Sequence, residues 1–409
     1  MAAQGEGAPA NAQSEQIDAV IVGAGFAGMY MLHRLRELGL SVRVFEAGDG
    51  VGGTWYWNRY PGARCDVESL EYQYGFSDEV QRGWNWSERY AAQPEILQYQ
   101  NYVADKLDLK RDIRFETRVT SAKYNERNGL WAVETDKGDF VSTRFCIMAT
   151  GCLSAARVPD FDGLDDFEGE RYHTGGWPHD GVDFSGKRVA VIGTGSSGIQ
   201  SIPVIAAEAE HLTVFQRTAN FTLPAGNRPL TREEVERSKE TLLEDRRHAR
   251  ETPGGIICFE YNETLAEEMA PDALQKELET RWDQGGFAFL GAYGDLMATQ
   301  EANHLAAEFA RAKMRASVKN KDVAEKLLPF DHPVGVKRLC LDTDYLETFD
   351  KPHVDLVDLR ENSIERISKR GVVCGGKEYE ADAIVFATGF DAMTGALLSI
   401  DIRGRDGAE

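Results

Sequence analysis

The clearest pattern of apolar and polar positions is a strand–helix–strand arrangement near the N-terminus. The β-branched run "DAVIV" (18–22) predicts a buried parallel strand, and "SVRVFE" (41–46) predicts a second strand. Between them, "MYMLHRLREL" (29–38) places apolar residues three and four positions apart, which predicts an amphipathic helix. The turn before this helix has the spacing G-x-G-x-x-G, formed by Gly23, Gly25 and Gly28. Together these elements are typical of a dinucleotide-binding fold.

The same arrangement recurs in the middle of the chain. "RVAVI" (188–192) and "LTVF" (212–215) predict its two strands, and its G-x-G-x-x-G turn is formed by Gly193, Gly195 and Gly198. The residue 23 positions after the first glycine is Glu46 in the first pattern and Gln216, followed by Arg217, in the second. Where the first pattern has a carboxylate, the second therefore has a neutral amide followed by a cation.

These strand ends predict which nucleotide each fold binds. Glycine turns let the backbone approach a pyrophosphate at the N-terminus of a helix, where partial positive charge lies. Glu46 can accept hydrogen bonds from ribose hydroxyls, and its charge would repel a 2′-phosphate. Arg217 can instead bind a 2′-phosphate through a charge-assisted fork. We therefore expect FAD at the first fold and NADP, in preference to NAD, at the second.

The remaining pattern predicts how the domains are connected. Two apolar runs break into small-residue turns, "RFCIMATG" (144–151) and "DAIVFATGF" (382–390), and by analogy with two-dinucleotide flavoproteins such turns carry the chain between domains. The predicted fold class is α/β with two dinucleotide-binding (Rossmann-like) domains and a charged, helical insertion in the NADP domain. The expected segments are a flexible N-terminus (1–16), an FAD-binding domain (17–152), an NADP-binding domain in two parts (153–230 and 331–384) around the insertion (231–330), and a return to the FAD domain (385–409).

The composition and charge of the chain limit the kinds of partner and location that we expect for it. The 409 residues carry a formal charge of -21, which argues against a nucleic-acid partner. The sequence contains neither a signal peptide nor the run of roughly 20 apolar residues that a membrane span needs. Six scattered cysteines without a C-x-x-C motif indicate a reducing cytoplasm rather than a disulfide framework. His179, His211 and His353 show no metal-ligand spacing, and no metal is expected.

Two further motifs stand beside and between the two glycine turns. "GGTWYWNRYPGARCD" (52–66) matches [AG]-G-x-W-x-x-x-x-[FY]-P-[GM]-x-x-x-D. The stretch "FEGERYHTGGWP" (167–178) matches F-x-G-x-x-x-H-x-x-x-W-P through Phe167, Gly169, His173, Trp177 and Pro178. With these four ordered motifs, the chain from about residue 15 onward resembles the type I Baeyer–Villiger monooxygenases. It is most similar in appearance to the phenylacetone and steroid monooxygenases.

The resemblance implies a reaction and its partners. NADPH reduces FAD, and the reduced flavin captures O2 as a flavin C4a-peroxide. The peroxide attacks a ketone carbonyl to give a Criegee intermediate, which rearranges to an ester or a lactone. The expected partners are a small-molecule ketone and O2, and the expected oligomeric state is a monomer. The sequence does not discriminate between aryl, cyclic and steroidal ketones.

The resemblance also assigns roles to residues of this chain. In "GVKRLCLDTDYLETF" (335–349), Arg338 supplies the fixed positive charge that the reaction's oxyanions need, and Asp66 pairs with it and orients it. The FAD site is expected to comprise Gly23, Gly25, Phe26, Ala27, Gly28, Glu46, Thr54, Trp55, Tyr56, Trp57, Asp66, Tyr72 and Val119. The NADP site is expected to comprise Arg64, Cys65, Gly193, Thr194, Gly195, Ser196, Ser197, Gly198, Gln200, Arg217, Thr218, Lys337 and Arg338. Cys65 is expected to be a packed thiol rather than a nucleophile. His173 and Trp177 are expected to hold an interdomain link through hydrogen bonds and packing.

Other functions of the chain stay open on the sequence alone. Flavin-dependent S- or N-oxygenases share both nucleotide folds, but they usually lack the Trp-Pro ending and the Lys-Arg pair. The chain ends at "LLSIDIRGRDGAE", whereas members of the family continue with a substantial C-terminal segment. We therefore expect a fragment or a truncated protein, for which a non-catalytic FAD/NADP-binding role is the alternative. A disulfide reductase would need a reactive cysteine pair after the first fold, and only Cys65 lies there.

Overall fold

The computed structural model describes residues 15–409. Residues 1–14 of the predicted flexible N-terminus lie outside the described residues, and residues 15 and 16 begin the first strand. The strands are β1 (Glu15–Val22), β2 (Val42–Phe45), β3 (Ile113–Arg114), β4 (Val119–Asn125), β5 (Leu130–Thr135), β6 (Phe140–Met148), β7 (Glu170–His173), β8 (Arg188–Ile192), β9 (His211–Gln216), β10 (Thr222–Pro224), β11 (Cys340–Asp342), β12 (Val354–Asp358), β13 (Ile364–Ser368), β14 (Gly371–Cys374), β15 (Lys377–Glu380), β16 (Ala383–Phe386) and β17 (Asp401–Arg403). The helices are α1 (Phe26–Glu37), α2 (Thr54–Trp57), α3 (Asp78–Arg82), α4 (Gln93–Lys106), α5 (Ser196–Glu208), α6 (Arg232–Ala249), α7 (Pro271–Gln284), α8 (Gln300–Ala316), α9 (Lys321–Lys326), α10 (Tyr345–Thr348) and α11 (Gly395–Leu398).

The described residues form two compact units. The first unit comprises the described residues up to 57 together with 97–156 and 390–409, and the second comprises 58–96 and 157–389. The chain thus changes unit shortly after the first predicted segment with a small-residue turn (144–151) and at the end of the second (382–390). Among residues 15–409, no helix combines the length and the apolar character that crossing a bilayer requires.

The first unit is built on a seven-stranded sheet with the order β17-β4-β5-β6-β1-β2-β3. Strand β1 runs parallel to both β2 and β6, while β4, β5 and β6 form an antiparallel meander. The centre of β1, residues 19–21, is fully buried, as its uninterrupted apolar sequence requires. Both predicted strands and the predicted helix of the first nucleotide fold are confirmed, although β1 begins three residues before the apolar run.

The second unit is built on a five-stranded parallel sheet with the order β12-β9-β8-β16-β7. Helix α5 follows β8 and buries Ile199, Ile202 and Ile205, which recur every three residues and form its apolar face. The unit also contains the antiparallel strands β13, β14 and β15 and the short parallel pair of β10 with β11. The second strand–helix–strand pattern is therefore confirmed as well.

The segment between 231 and 330 is mainly helical, as predicted, and consists chiefly of α6 to α9. Helix α6 begins with a capping box, in which Thr231 and Glu234 satisfy each other's backbone N–H groups. The helix ends at Ala249, four residues before Pro253, which begins the Pro-Gly-Gly segment that interrupts the helical pattern.

Residues 58–96 were expected in the first domain, but their contacts place them in the second unit. One reason is the guanidinium of Arg246 on α6, which donates to the carbonyl oxygens of Glu71 at 3.1 Å and Gln73 at 2.6 Å. The predicted domain boundaries stay a prediction.

Candidate active site

The first glycine turn is shaped by close approach of helix α1 to the strand that precedes it. Gly23 has φ +102°, and a Cβ on it would lie 2.6 Å from the carbonyl oxygen of Ala149. A Cβ on Gly28 would lie 1.9 Å from the carbonyl oxygen of Gly23. Only glycine fits at these two positions. Gly25 precedes the helix and provides no side-chain cap to the first-turn residues Phe26 and Ala27.

Glu46 lies directly after β2 and is buried. Its carboxylate accepts hydrogen bonds from the backbone N–H groups of Ala24 at 2.7 Å and Gly48 at 2.9 Å. These bonds fix the carboxylate beside the glycine turn. Each carboxylate oxygen can accept more than one hydrogen bond, so acceptor capacity for ribose hydroxyls remains.

The aromatic residues after the first fold lie on the short helix α2, which begins at Thr54. Trp55 and Tyr56 are buried, and the Tyr56 hydroxyl donates to Asp49 at 2.6 Å. The Tyr56 ring also contacts the ring of Trp57 edge to face, with 4.8 Å between centroids. Tyr56 therefore holds the turn at residues 48–50 within the first unit. Contacts between these aromatic residues and FAD stay predictions. The same holds for Val119, which is buried on β4.

The second glycine turn repeats the sterics of the first. Gly193 has φ +113°, and a Cβ on it would lie 2.4 Å from the carbonyl oxygen of Ala387. A Cβ on Gly198 would lie 2.3 Å from the carbonyl oxygen of Gly193, whereas a Cβ on the exposed Gly195 would meet no atom within 4 Å. Gly193 and Gly198 are therefore required by the fold, and Gly195 leaves open space at the start of α5.

The turn is tied to the end of β9 by polar contacts. The Thr194 hydroxyl donates to the carbonyl oxygen of Thr218 at 2.9 Å, and the Asn220 amide donates to the carbonyl oxygen of Thr194 at 2.7 Å. Sequence reasoning missed Asn220, since a single amide four residues beyond a strand gives no periodic signal.

The two polar residues at the end of β9 have different surroundings. Gln216 is buried, and its amide nitrogen donates to the carbonyl oxygen of Lys326 at 2.7 Å. Arg217 is exposed, and no carboxylate within residues 15–409 lies within ion-pair distance of its guanidinium. Lys337 is also exposed. Gln216, the counterpart of Glu46, is thus hydrogen bonded inside the protein. Arg217, beside it, is available to an anionic ligand.

Arg338 and Asp66 are brought together although 272 residues separate them in the chain. The guanidinium donates through Nε to one carboxylate oxygen and through Nη2 to the other, the second bond measuring 2.7 Å. The Arg338 side chain is 60% exposed and that of Asp66 is 22% exposed. The hydrogen bonds to Asp66 raise the pKa of Arg338 above its ordinary value, so the guanidinium stays charged.

Phe287 provides a second contact to this guanidinium. The carbon at the centre of the guanidinium lies 5.2 Å from the centroid of the Phe287 ring, within cation–π range. Asp66 thus hydrogen bonds to the edge of the Arg338 guanidinium, and the Phe287 ring contacts one of its faces. Sequence reasoning missed Phe287, because one aromatic residue in the helical insertion carries no motif. Tyr72 is half-buried and acts electrostatically on Arg338, and its expected contact with FAD stays a prediction.

The two residues before Asp66 are engaged within the second unit. Arg64 pairs with Glu88 at 3.0 Å and donates to the carbonyl oxygen of Tyr90 at 2.6 Å. Cys65 is buried, and burial raises the pKa of its thiol to about 12. The thiol therefore stays protonated and is no nucleophile. A contact of Arg64 or Cys65 with NADP stays a prediction.

The first turns of α5 contact the segments that carry the ion pair. The Gln200 side chain, expected in the NADP site, meets the hydroxyl of Tyr60 and the backbone of Arg64. The Ser196 hydroxyl lies 3.5 Å from the sulfur of Cys340, and Ser197 beside it is half-buried. These residues therefore face protein neighbours as well as the glycine turn.

His173 is held in one orientation at the end of β7. Its Nδ1 accepts the backbone N–H of Gly175 at 2.9 Å, and its Nε2 lies 3.2 Å from the Thr388 hydroxyl and 3.3 Å from the Arg157 carbonyl oxygen. Burial lowers the pKa of His173, so a neutral ring with the proton on Nε2 satisfies these partners. Within the second unit, the ring thus connects Arg157, where the chain re-enters that unit, with Thr388, next to the residue at which the chain finally leaves it.

The other motif residues are explained by packing. A Cβ on Gly169 would lie 2.5 Å from the Phe167 ring, which accounts for the F-x-G spacing. Trp177 is buried against the rings of Tyr172 and Phe184, with centroids 5.4 and 6.1 Å away, and Pro178 follows at the surface. Hydrogen bonding and packing are the contacts that the sequence led us to expect. A hinge function for this segment stays a prediction.

Comparison with known proteins decides the family. The family model described as pyridine nucleotide-disulphide oxidoreductase matches residues 20–249. A protein of Pseudooceanicola batsensis named Baeyer–Villiger monooxygenase is 43% identical over 95% of this chain and 72% of its own length. The chain belongs to the Baeyer–Villiger monooxygenase family.

Other relatives of similar identity are named for different substrates. The 2-oxo-Δ3-4,5,5-trimethylcyclopentenylacetyl-CoA monooxygenase of Pseudomonas putida is 44% identical over 97% of this chain and 74% of its own length. A phenazine N-monooxygenase of Lysobacter antibioticus is 43% identical over 95% of this chain and 72% of its own length. The chain thus spans about three quarters of these relatives.

Solved structures agree with this assignment. Oxidised steroid monooxygenase bound to NADP superposes with a TM-score of 0.92 at 53% identity, covering 96% of this chain and 75% of that one. OTEMO in complex with FAD and NADP gives a TM-score of 0.94 at 41% identity, covering 97% and 76%. The predicted fold class and the predicted family of this Baeyer–Villiger monooxygenase are confirmed.

Arg217 provides a test of coenzyme choice in this monooxygenase. We expect Arg217→Ala to raise the KM for NADPH roughly tenfold to a hundredfold, because a hydrogen bond to a charged group contributes about 1.5–3 kcal/mol. The KM for NADH should change little, since NADH has no 2′-phosphate. Steady-state NAD(P)H oxidation measures both values, with Arg237→Ala on the exposed face of α6 as control. An equal loss with the two coenzymes would show that Arg217 does not read the 2′-phosphate.

Proposed function

We propose that this chain carries out the reaction of its family with FAD and NADPH as cofactors: insertion of one oxygen atom from O2 beside a ketone carbonyl. The product is an ester or, from a cyclic ketone, a lactone. The observation that carries the proposal is the bidentate pair of Arg338 and Asp66, which fixes a permanent positive charge at the Lys-Arg motif.

The two glycine turns fit the two cofactors. A Cβ would be excluded from the first turn by backbone at Gly23 and Gly28, as expected where a helix N-terminus approaches a pyrophosphate. The buried Glu46 suits a ribose without a 2′-phosphate, and the exposed Arg217 suits one that carries it. When bound, FAD supplies the redox chemistry that accepts hydride from NADPH and activates O2.

The contribution of Arg338 is electrostatic. Negative charge that develops on oxygen during oxygen insertion is stabilised by a fixed cation, and mutagenesis of comparable groups gives factors of about 10²–10³ per donor. Two of the five N–H donors of the guanidinium are bound to Asp66, which leaves three for a reacting oxygen. Because Asp66 and Phe287 fix its plane and one face, little reorganisation is needed when charge appears.

The ketone is assigned by class only. The similarity to a steroid monooxygenase at 53% identity supports a steroidal ketone as the first compound to test. Aryl and cyclic ketones belong in the same panel. A cytoplasmic location and a monomeric state stay predictions.

A second candidate function is N-oxygenation of an aromatic heterocycle. It is favoured by the phenazine N-monooxygenase, which is as similar to this chain as the relative named Baeyer–Villiger monooxygenase. Both reactions consume NADPH and O2, so NADPH oxidation does not distinguish them. The product does.

A product analysis tests the proposal. The chain is reconstituted with FAD and supplied with NADPH, isotopically heavy O2, and either a ketone from the panel or phenazine. We expect an ester or lactone with one heavy oxygen, identified by mass spectrometry, and no oxygenated phenazine. An N-oxide formed without ester would favour the second function. NADPH oxidation that yields only hydrogen peroxide with every ketone would contradict the monooxygenase assignment for these 409 residues.

A further inference from the structure

Gln200 lies in the second turn of helix α5, just beyond the glycine turn of the NADP fold. Its side-chain oxygen accepts the Tyr60 hydroxyl at 2.8 Å and the backbone N–H of Arg64 at 3.4 Å. Its side-chain nitrogen donates to the carbonyl oxygen of Arg64 at 3.1 Å. One amide group therefore binds both the backbone N–H and the backbone carbonyl of Arg64, as a neighbouring strand would.

The backbone around this contact is also closely packed. Gly62 has φ +80°, and a Cβ on it would lie 2.2 Å from the carbonyl oxygen of Gln200. Burial raises the pKa of the Tyr60 hydroxyl to about 12, so the phenol stays protonated and donates to Gln200. Residues 60–64 are thus held against the second turn of α5 by both the side chain and the backbone of Gln200.

Each member of the ion pair lies two residues from a residue that contacts α5. Arg64 is bound to Gln200 and precedes Asp66 by two positions. Cys340 contacts Ser196 and follows Arg338 by two positions. The start of α5 is therefore connected to both halves of the pair, and the connection through Gln200 has more hydrogen bonds.

The other side of the segment 64–66 is held independently of α5. The N–H of Cys65 donates to the carbonyl oxygen of Ala91 at 3.0 Å, and Arg64 pairs with Glu88. Loss of the Gln200 side chain would remove the hydrogen bonds of this segment to α5 while leaving it attached to residues 88–91. The consequence is altered position rather than unfolding.

We infer that Gln200 is a positioning residue, which sets the segment carrying Asp66 against the NADP helix and thereby fixes where Arg338 presents its charge. The inference rests on the proposed function. It differs from the expectation that Gln200 binds NADP directly, since the hydrogen bonds of its side chain go to Tyr60 and Arg64.

Hydrogen exchange and product coupling test this inference. In Gln200→Leu, we expect amides of residues 60–66 to exchange roughly tenfold faster or more, because three hydrogen bonds are lost. The fraction of oxidised NADPH that appears as ester should fall several-fold in favour of hydrogen peroxide, while the KM for NADPH changes less than about threefold. Gln200→Glu keeps the acceptor for Tyr60 and should recover part of both effects.

A half-buried amide elsewhere provides the control. Asn262 in the helical insertion donates to the carbonyl oxygen of Ala292 at 3.1 Å, so Asn262→Leu removes a comparable contact far along the chain from Asp66. It should leave exchange at 60–66 and the ester fraction as in the wild type.

The outcomes separate three cases. If Gln200→Leu raises the KM for NADPH with unchanged ester fraction and unchanged exchange at 60–66, Gln200 binds the coenzyme and the inference fails. Unchanged values throughout also overturn it. If the wild-type chain forms no ester, the proposed function fails, and the exchange measurement still decides whether Gln200 holds the segment. If the leucine variant does not fold, the glutamate variant gives the same comparison.

Discussion

Arg338→Ala should abolish detectable ester formation while the purified protein remains yellow and still oxidises NADPH. The guanidinium is the fixed cation of the Lys-Arg motif, and removal of one preorganised donor of this kind costs a factor of about 10²–10³. Arg338 is 60% exposed and lies outside the hydrophobic core, so its loss should not unfold the chain. Product analysis by mass spectrometry, together with hydrogen peroxide assay and the flavin absorbance spectrum, measures all three properties.

Two matched variants separate charge from geometry. Arg338→Lys keeps the charge but has no planar fork for Asp66, and we expect it to recover a small part of the activity. Asp66→Asn keeps the size of the partner, yet an amide can accept only one of the two N–H bonds from Arg338. It should retain more ester formation than Arg338→Ala. Undiminished ester formation in Arg338→Ala would show that another group stabilises the oxyanion.

The nucleotide folds were predictable because their causes are local. Apolar strands, an amphipathic helix and closely spaced glycines lie within about 30 residues in each fold, and each has a physical requirement that sequence displays directly. The steric role of Gly28, whose Cβ would lie 1.9 Å from the backbone of Gly23, follows from this compact arrangement. The nucleotide preference of each fold could be argued from a single position, Glu46 or Arg217.

The surroundings of the ion pair were less predictable because they depend on tertiary contacts. The pairing of Asp66 with Arg338 was accessible only through resemblance, since 272 residues separate the two. Phe287 beneath the guanidinium and the orientation of Gln200 toward residues 60–64 carry no motif. The grouping of 58–96 with the second unit likewise follows from side-chain contacts rather than from any composition change.

Gly198→Ala should have the largest effect on stability, and Gly195→Ala should instead impair coenzyme binding. A methyl group on Gly198 would lie 2.3 Å from the backbone oxygen of Gly193, so α5 must shift away from β8 at a cost of roughly 3–5 kcal/mol. A methyl group on Gly195 meets no protein atom within 4 Å, and its effect on folding should stay within about 1 kcal/mol. It occupies the space through which the backbone approaches a pyrophosphate, so the KM for NADPH should rise about tenfold or more.

Thermal unfolding and coenzyme titration distinguish these two mechanisms in the same pair of proteins. Gly198→Ala should unfold at a markedly lower temperature or fail to accumulate, whatever the concentration of NADP. Gly195→Ala should unfold at the wild-type temperature without coenzyme, but added NADP should stabilise it much less than the wild type, because ligand stabilisation depends on the ratio of concentration to Kd. If Gly195→Ala binds NADP as the wild type does, the open space at the start of α5 is not where the pyrophosphate lies. If Gly198→Ala is as stable as the wild type, the helix can move without loss, and the requirement for glycine at that position belongs to the nucleotide rather than to the fold.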